Sequence, residues 1–133
     1  MFGKKGPAGT IDSLIGAGAI VEGELRFKGG LRIDGEVRGN VIGEPGAPSL
    51  LVLSEQGRVV GSVQASQLVV NGSIEGPVQA DVLIELQPKA RVTGSVRYRA
   101  LEMHPGAVVE GVLAHFDGLE SERPSLKLAS SKD

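Results

Sequence analysis

Cysteine and tryptophan are absent from the 133 residues, and only Phe2, Phe27, Tyr98 and Phe116 are aromatic. Lack of cysteine rules out a disulfide framework and any thiolate metal site, and fits a reducing compartment. A nucleic-acid binder would carry a basic face with interleaved aromatics, and neither is present. The formal net charge is only −2, arising as +2 over residues 1 to 10, −3 over 11 to 116 and −1 over 117 to 133. No apolar run approaches the roughly 18 residues of a membrane-spanning helix, and the start lacks the apolar stretch and cleavage site of a secretory signal. Phe rather than Gly at position 2 excludes N-myristoylation. A cytoplasmic protein is expected.

Material for catalysis is equally scarce. Gly16-Ala-Gly18-Ala-Ile-Val21 fails the dinucleotide-binding pattern because Val stands where the third Gly is required, and no phosphate-binding GxxxxGK[ST] occurs. His104 and His115 are the two imidazoles, one beside Pro105 at a corner and the other beside Phe116. They form no ligand set or base–nucleophile pairing in the sequence and read as surface histidines. Glu22, Asp34, Glu36, Glu75, Glu85 and Glu110 stand at alternating positions, the pattern of a solvated face. Asn71-Gly72-Ser73 matches a glycosylation tripeptide but reads as a corner. Neither a catalytic residue nor a cofactor or metal is expected.

What the chain has in quantity is glycine, 20 residues of it, placed with regularity. An aliphatic-x-Gly-x-aliphatic pentad occurs eight times, as Val21 to Leu25, Ile33 to Val37, Val37 to Val41, Val59 to Val63, Val70 to Ile74, Ile74 to Val78, Val92 to Val96 and Val109 to Leu113. Longer units are visible too: Leu31, Leu51, Leu68, Ile84 and Leu101 are separated by 20, 17, 16 and 17 residues. The long interval contains Gly43-Glu44-Pro45-Gly46-Ala47-Pro48-Ser49, a composition that marks a surface loop.

Within a unit, apolar and polar residues alternate, as from Leu31 to Val41, which is the period of a strand and not of a helix. Short strands recurring every 17 residues or so bury their apolar faces if each unit is one turn of a coil stacked on the next. Glycine and small polar residues then set the corners, and a narrow aliphatic interior leaves little room for rings. The pattern predicts an all-β, single-domain parallel β-solenoid of six coils, at 11–30, 31–50, 51–67, 68–83, 84–100 and 101–116. At about 4.8 Å per coil the rod is on the order of 29 Å long.

A solenoid has two open ends, which monomeric examples hide with polar capping elements. No amphipathic helix stands in reach of either end here. Ile11, Leu14 and Ile15 at the first coil and Leu113 and Phe116 at the last are the candidate polymerisation interface. Phe116 is the foremost of them, and its other reading is a plug that folds back on the core.

The run from Gly23 to Val41, above all Leu31-Arg-Ile-Asp-Gly-Glu-Val-Arg-Gly-Asn40, and the Leu101-x-Met103-x-Pro-Gly-Ala-Val-Val-Glu-Gly111 block resemble the bactofilin family over residues 11 to 116. That resemblance implies a right-handed β-helix that self-assembles into filaments without nucleotide. It further implies association with the inner face of the bacterial membrane and a scaffold for cell-wall synthesis or remodelling proteins. Many such proteins begin with a peptide like Met1-Phe2-Gly3-Lys4-Lys5, in which Met1, Phe2, Lys4 and Lys5 would touch the membrane.

Residues 1–10 and 117–133 are expected to be disordered tails, since they hold too little apolar surface to offset the entropy of ordering. The rival reading is a left-handed β-helix acyltransferase of the hexapeptide type, whose coils are nearly as long. Its six-residue repeat distinguishes it from the pentads seen here.

Overall fold

The computed structural model describes residues 11 to 117. They form sixteen strands, with no helix among the described residues. Six turns stack into a solenoid, each giving one strand to each of three faces. The first face contains β1 (Ser13–Ile15), the ends of β4 (Gly29–Ile33), β7 (Ser49–Leu53), β9 (Val63–Val70) and β11 (Val78–Leu86), and then β14 (Leu101–Met103). The second contains β2 (Ile20–Glu22), β5 (Glu36–Arg38), β8 (Arg58–Val60), β10 (Ser73–Glu75), β12 (Arg91–Thr93) and β15 (Val108–Glu110). The third contains β3 (Leu25–Phe27), β6 (Val41–Gly43), the beginnings of β9 and β11, β13 (Val96–Tyr98) and β16 (Leu113–His115). Every pairing is parallel.

Register turns the repeat into columns. Leu31, Leu51, Leu68, Ile84 and Leu101, the unit starts, lie one over another on the first face. Ile15, Ile33, Leu53, Val70, Leu86 and Met103 form the column beside them. On the second face Val21, Val37, Val59, Ile74, Val92 and Val109 are aligned, and on the third Leu25, Val41, Val63, Val78, Val96 and Leu113. The members from the four inner turns are buried and constitute the core. Each such side chain contributes about 1.5–3 kcal/mol by leaving water. Columns of like aliphatic residues fix the register, because a slip by one residue would turn each of them outward.

One corner explains most of the pentads. Gly39, Gly61, Gly76, Gly94 and Gly111, between the second and third faces, all have positive φ. A β-carbon on any of them would collide with the carbonyl oxygen of the glycine one turn earlier, so both the dihedral and the close stacking demand glycine. The predicted surface loop is also present: residues 45 to 48 are exposed between β6 and β7. Where that loop re-enters, buried Ser49 and half-buried Ser66 each accept a hydrogen bond from the other's backbone N–H, at 2.9 and 3.1 Å.

Outward positions carry the charges. Arg38 Nε donates to Glu36 at 2.9 Å and its Nη1 donates to Glu22 on the neighbouring strand at 3.1 Å. The hydrogen bond from Arg38 holds the Glu36 carboxyl below the usual carboxylate range. Arg58 and Glu75 pair at 2.7 Å on the same face. Exposed pairs of this kind are screened by solvent, so they orient and solubilise more than they stabilise.

Candidate polymerisation surfaces

Among the described residues, the columns that close the core have no neighbour at either end. Met103 is 44% exposed although the four residues before it in its column, Ile33, Leu53, Val70 and Leu86, are fully buried. Leu113 is 42% exposed at the end of the third-face column. At the opposite end Ile15, Val21 and Leu25 are half-buried in positions that are closed in the inner turns. Of the seven large exposed apolar residues among the described ones, Ile11, Leu14, Ile20, Met103, Val112 and Leu113 belong to the first or last turn, leaving Val82 outside them.

Backbone edges coincide with this apolar surface. Among the described residues, strands β1, β2 and β3 each pair on one side only, as do β14, β15 and β16. Exposed edges are ordinarily blunted with Lys, Pro or bulges. These six strands contain neither Lys nor Pro.

The residues singled out from the sequence fall differently on this geometry. Ile15 and Leu113 are inward residues of terminal turns, and Ile11 is exposed just before the first strand. Leu14 lies in the outward row that continues through Arg32 and Val52, so it flanks the first end without belonging to its apolar cross-section. Phe116 is 9% exposed: its N–H donates to Tyr98 O at 2.9 Å, and the Arg97 guanidinium carbon lies 4.9 Å from its ring centroid. It is packed within its own subunit. Met1, Phe2, Lys4 and Lys5 lie outside the described residues.

Met103, Val109, Val21 and Leu25 were missed by sequence reasoning, although the repeat carried the signal. Each is the first or last member of a column whose inner members were recognised as core.

Chemistry of other kinds is thin. Glu85, Glu102 and His104 bring potential metal-donor atoms within 4.8 Å of one another on the outside of the first face. His104 Nε2 and Glu85 Oε2 are 2.9 Å apart, an imidazole–carboxylate contact sufficient to account for their approach. A shallow polar groove of about 420 Å³ lies on that face over Val52 and Val69, with Asp34, Ser54 and Asn71 at its rim. Asp34 is held below the usual carboxylate range by hydrogen bonds from the Ser54 side chain and from Arg32.

The family model for bactofilins, described as polymer-forming cytoskeletal, matches residues 13 to 114. Among solved structures the chain resembles Thermus thermophilus bactofilin, reconstructed by cryo-electron microscopy as double helical filaments. The identity is 33% and the TM-score 0.70, over 78% of this chain and 99% of that one. It also resembles the cytoskeletal bactofilin BacA, whose atomic structure was revealed by solid-state NMR, at 31% identity and TM-score 0.67 over 77% of this chain and 94% of that one. No individually curated protein matches. A family match spanning nearly every strand of the solenoid, together with two bactofilin structures above 30% identity, makes the chain a member of the bactofilin family.

Proposed function

We propose that this protein is a cytoskeletal scaffold whose subunits stack end to end into filaments without nucleotide. The observation that carries the reading is that, among the described residues, the apolar columns are closed through the inner turns and open at both ends. Stacking a second copy on either end would cover that apolar surface and satisfy the free edges of three strands together. The filaments formed by the Thermus thermophilus protein support the same reading by similarity. Acyl transfer, the rival reading, has no supporting observation, since the family is a polymer-forming one.

Purified protein in nucleotide-free buffer should give ordered filaments by electron microscopy and a pelletable fraction by ultracentrifugation. Strictly monomeric behaviour across concentration and salt would overturn the reading. The interface assigned from the sequence, Ile11, Leu14, Ile15, Leu113 and Phe116, is tested with it, Ile15 and Leu113 standing in the end columns, Ile11 and Leu14 flanking the first end and Phe116 supporting the last turn from within its own subunit. Filaments undiminished in Phe116→Arg would remove Phe116 from it.

Membrane attachment is a separate element of the proposal. Phe2 would enter the interface with Met1, while Lys4 and Lys5 meet anionic head groups at about 1 kcal/mol each. One copy binds feebly, but a filament presents many copies together. The scaffold would then sit on the cytoplasmic face of the inner membrane and hold cell-wall synthesis or remodelling proteins there. Equal liposome co-sedimentation of the full chain and a chain lacking residues 2 to 5 would dispose of the anchor.

A further inference from the structure

His115 occupies an unusual place. It continues the inward row of the third face, directly over Tyr98, with the two rings edge to face at 5.7 Å between centroids. Tyr98 itself follows Ala80, and Ala80 follows Ala65. The earlier members are therefore apolar or aromatic, and the last is an imidazole. His115 is exposed, and no described strand pairs with β16 on its far side.

The chain's other imidazole, His104, is also in the last turn but faces outward, where Glu85 partners it. At one end of the rod, then, the final layer carries both histidines, and only His115 lies within the cross-section that a stacked copy would cover.

We propose that His115 makes assembly through this end proton-sensitive, an inference that rests on the end-to-end stacking proposed above. Covering the ring removes it from water, and desolvation disfavours the charged form of an imidazole. The surroundings are mixed. Tyr98 lies beneath the ring, Arg97 stands on the outer side of the same strand and Arg99 follows it. Asp117 is two residues further along, and Glu102 and Glu110 face outward on the other two sides of the turn.

The sign follows from linkage. The covered ring has a lower proton affinity than the exposed one, so assembly is strongest with the imidazole neutral and weakens as pH falls through the histidine range, roughly 5 to 8. Because each subunit has a single His115, the effect is limited to about tenfold in critical concentration per pH unit whichever way neighbouring subunits point.

The test is the critical concentration for pelleting of the full chain between about pH 7.5 and about pH 5.5, the interval in which histidine titrates. It is measured for wild type, His115→Gln, His115→Phe and His104→Gln. The expected result is a rise on the order of tenfold for wild type and His104→Gln and a flat profile for both position-115 variants. Circular dichroism at each pH confirms that the subunits stay folded.

A flat wild-type profile with filaments present throughout overturns the proton sensitivity and leaves end-to-end stacking intact. A rise that survives in both position-115 variants, or that vanishes in His104→Gln, assigns the sensor elsewhere and equally overturns it. Complete absence of filaments at every pH overturns the stacking reading and this inference with it.

Discussion

The carbonyl oxygen of Gly61 occupies the space that a β-carbon on Gly76 would need, one turn later at the same corner. Gly76→Ala therefore combines an unfavourable positive φ, +147°, with displacement of the backbone beneath it. Gly23, first in the ladder, also has positive φ but open space around it. In urea denaturation of a non-assembling background, Gly23→Ala should cost about 1–3 kcal/mol, the strain alone. Gly76→Ala should cost clearly more; equal costs would mean that the close stacking is not what selects glycine.

Ile74 is fully buried in the middle of the second-face column, whereas Leu14 stands 61% exposed beside it in chemical type only. Truncation to Ala should cost about 2–5 kcal/mol at Ile74. At Leu14 the monomer should change by no more than about 0.5 kcal/mol. Thermal or chemical denaturation measures both, and a small loss at Ile74 would contradict the column description of the core.

Leu113→Asp places a carboxylate where the third-face column ends. Because the position is already solvent-exposed in the subunit, the β-rich circular dichroism spectrum should be retained while the pelletable fraction falls by at least tenfold. An unfolded variant would instead mean that Leu113 is needed for the fold. Val112→Asp, at the corner just before it, provides the second reading of the same end.

Asp34 is held low in pKa first by the Ser54 side chain and then by Arg32. Its folded-state pKa lies below the unfolded one. The associated stability is therefore present above the ordinary carboxylate range and lost as pH falls through the lowered value. Ser54→Ala should move the Asp34 titration upward in NMR, and an unmoved titration would assign the effect to Arg32 alone.

Much of this architecture was legible because strand alternation and a repeat of about 17 residues reinforce each other. Leu31, Leu51, Leu68, Ile84 and Leu101 align through the glycine register and the spacing that follows from it, and they share one column. The loop after Gly43 was marked by its prolines and glycines. Less of the candidate interface could be read. Leu14 looked like end-face surface because it is apolar and early, yet strand parity turns it outward beside the row of Arg32. Phe116 follows the final strand, where no repeat constrains direction, so sequence could not show that it packs against Arg97. Met103 is legible as a repeat member but not as an end residue, since its exposure follows from its place in the last described turn.

In a parallel stack of this kind the bonds between successive turns run along the long axis of the rod. A pull on its two ends is therefore shared by the bonds of all three faces, and corner peptides tie each layer covalently to the next. Such an object resists stretching well for its width. A seam between two separate chains has the bonds but lacks the tie, and is where tension would part the rod first.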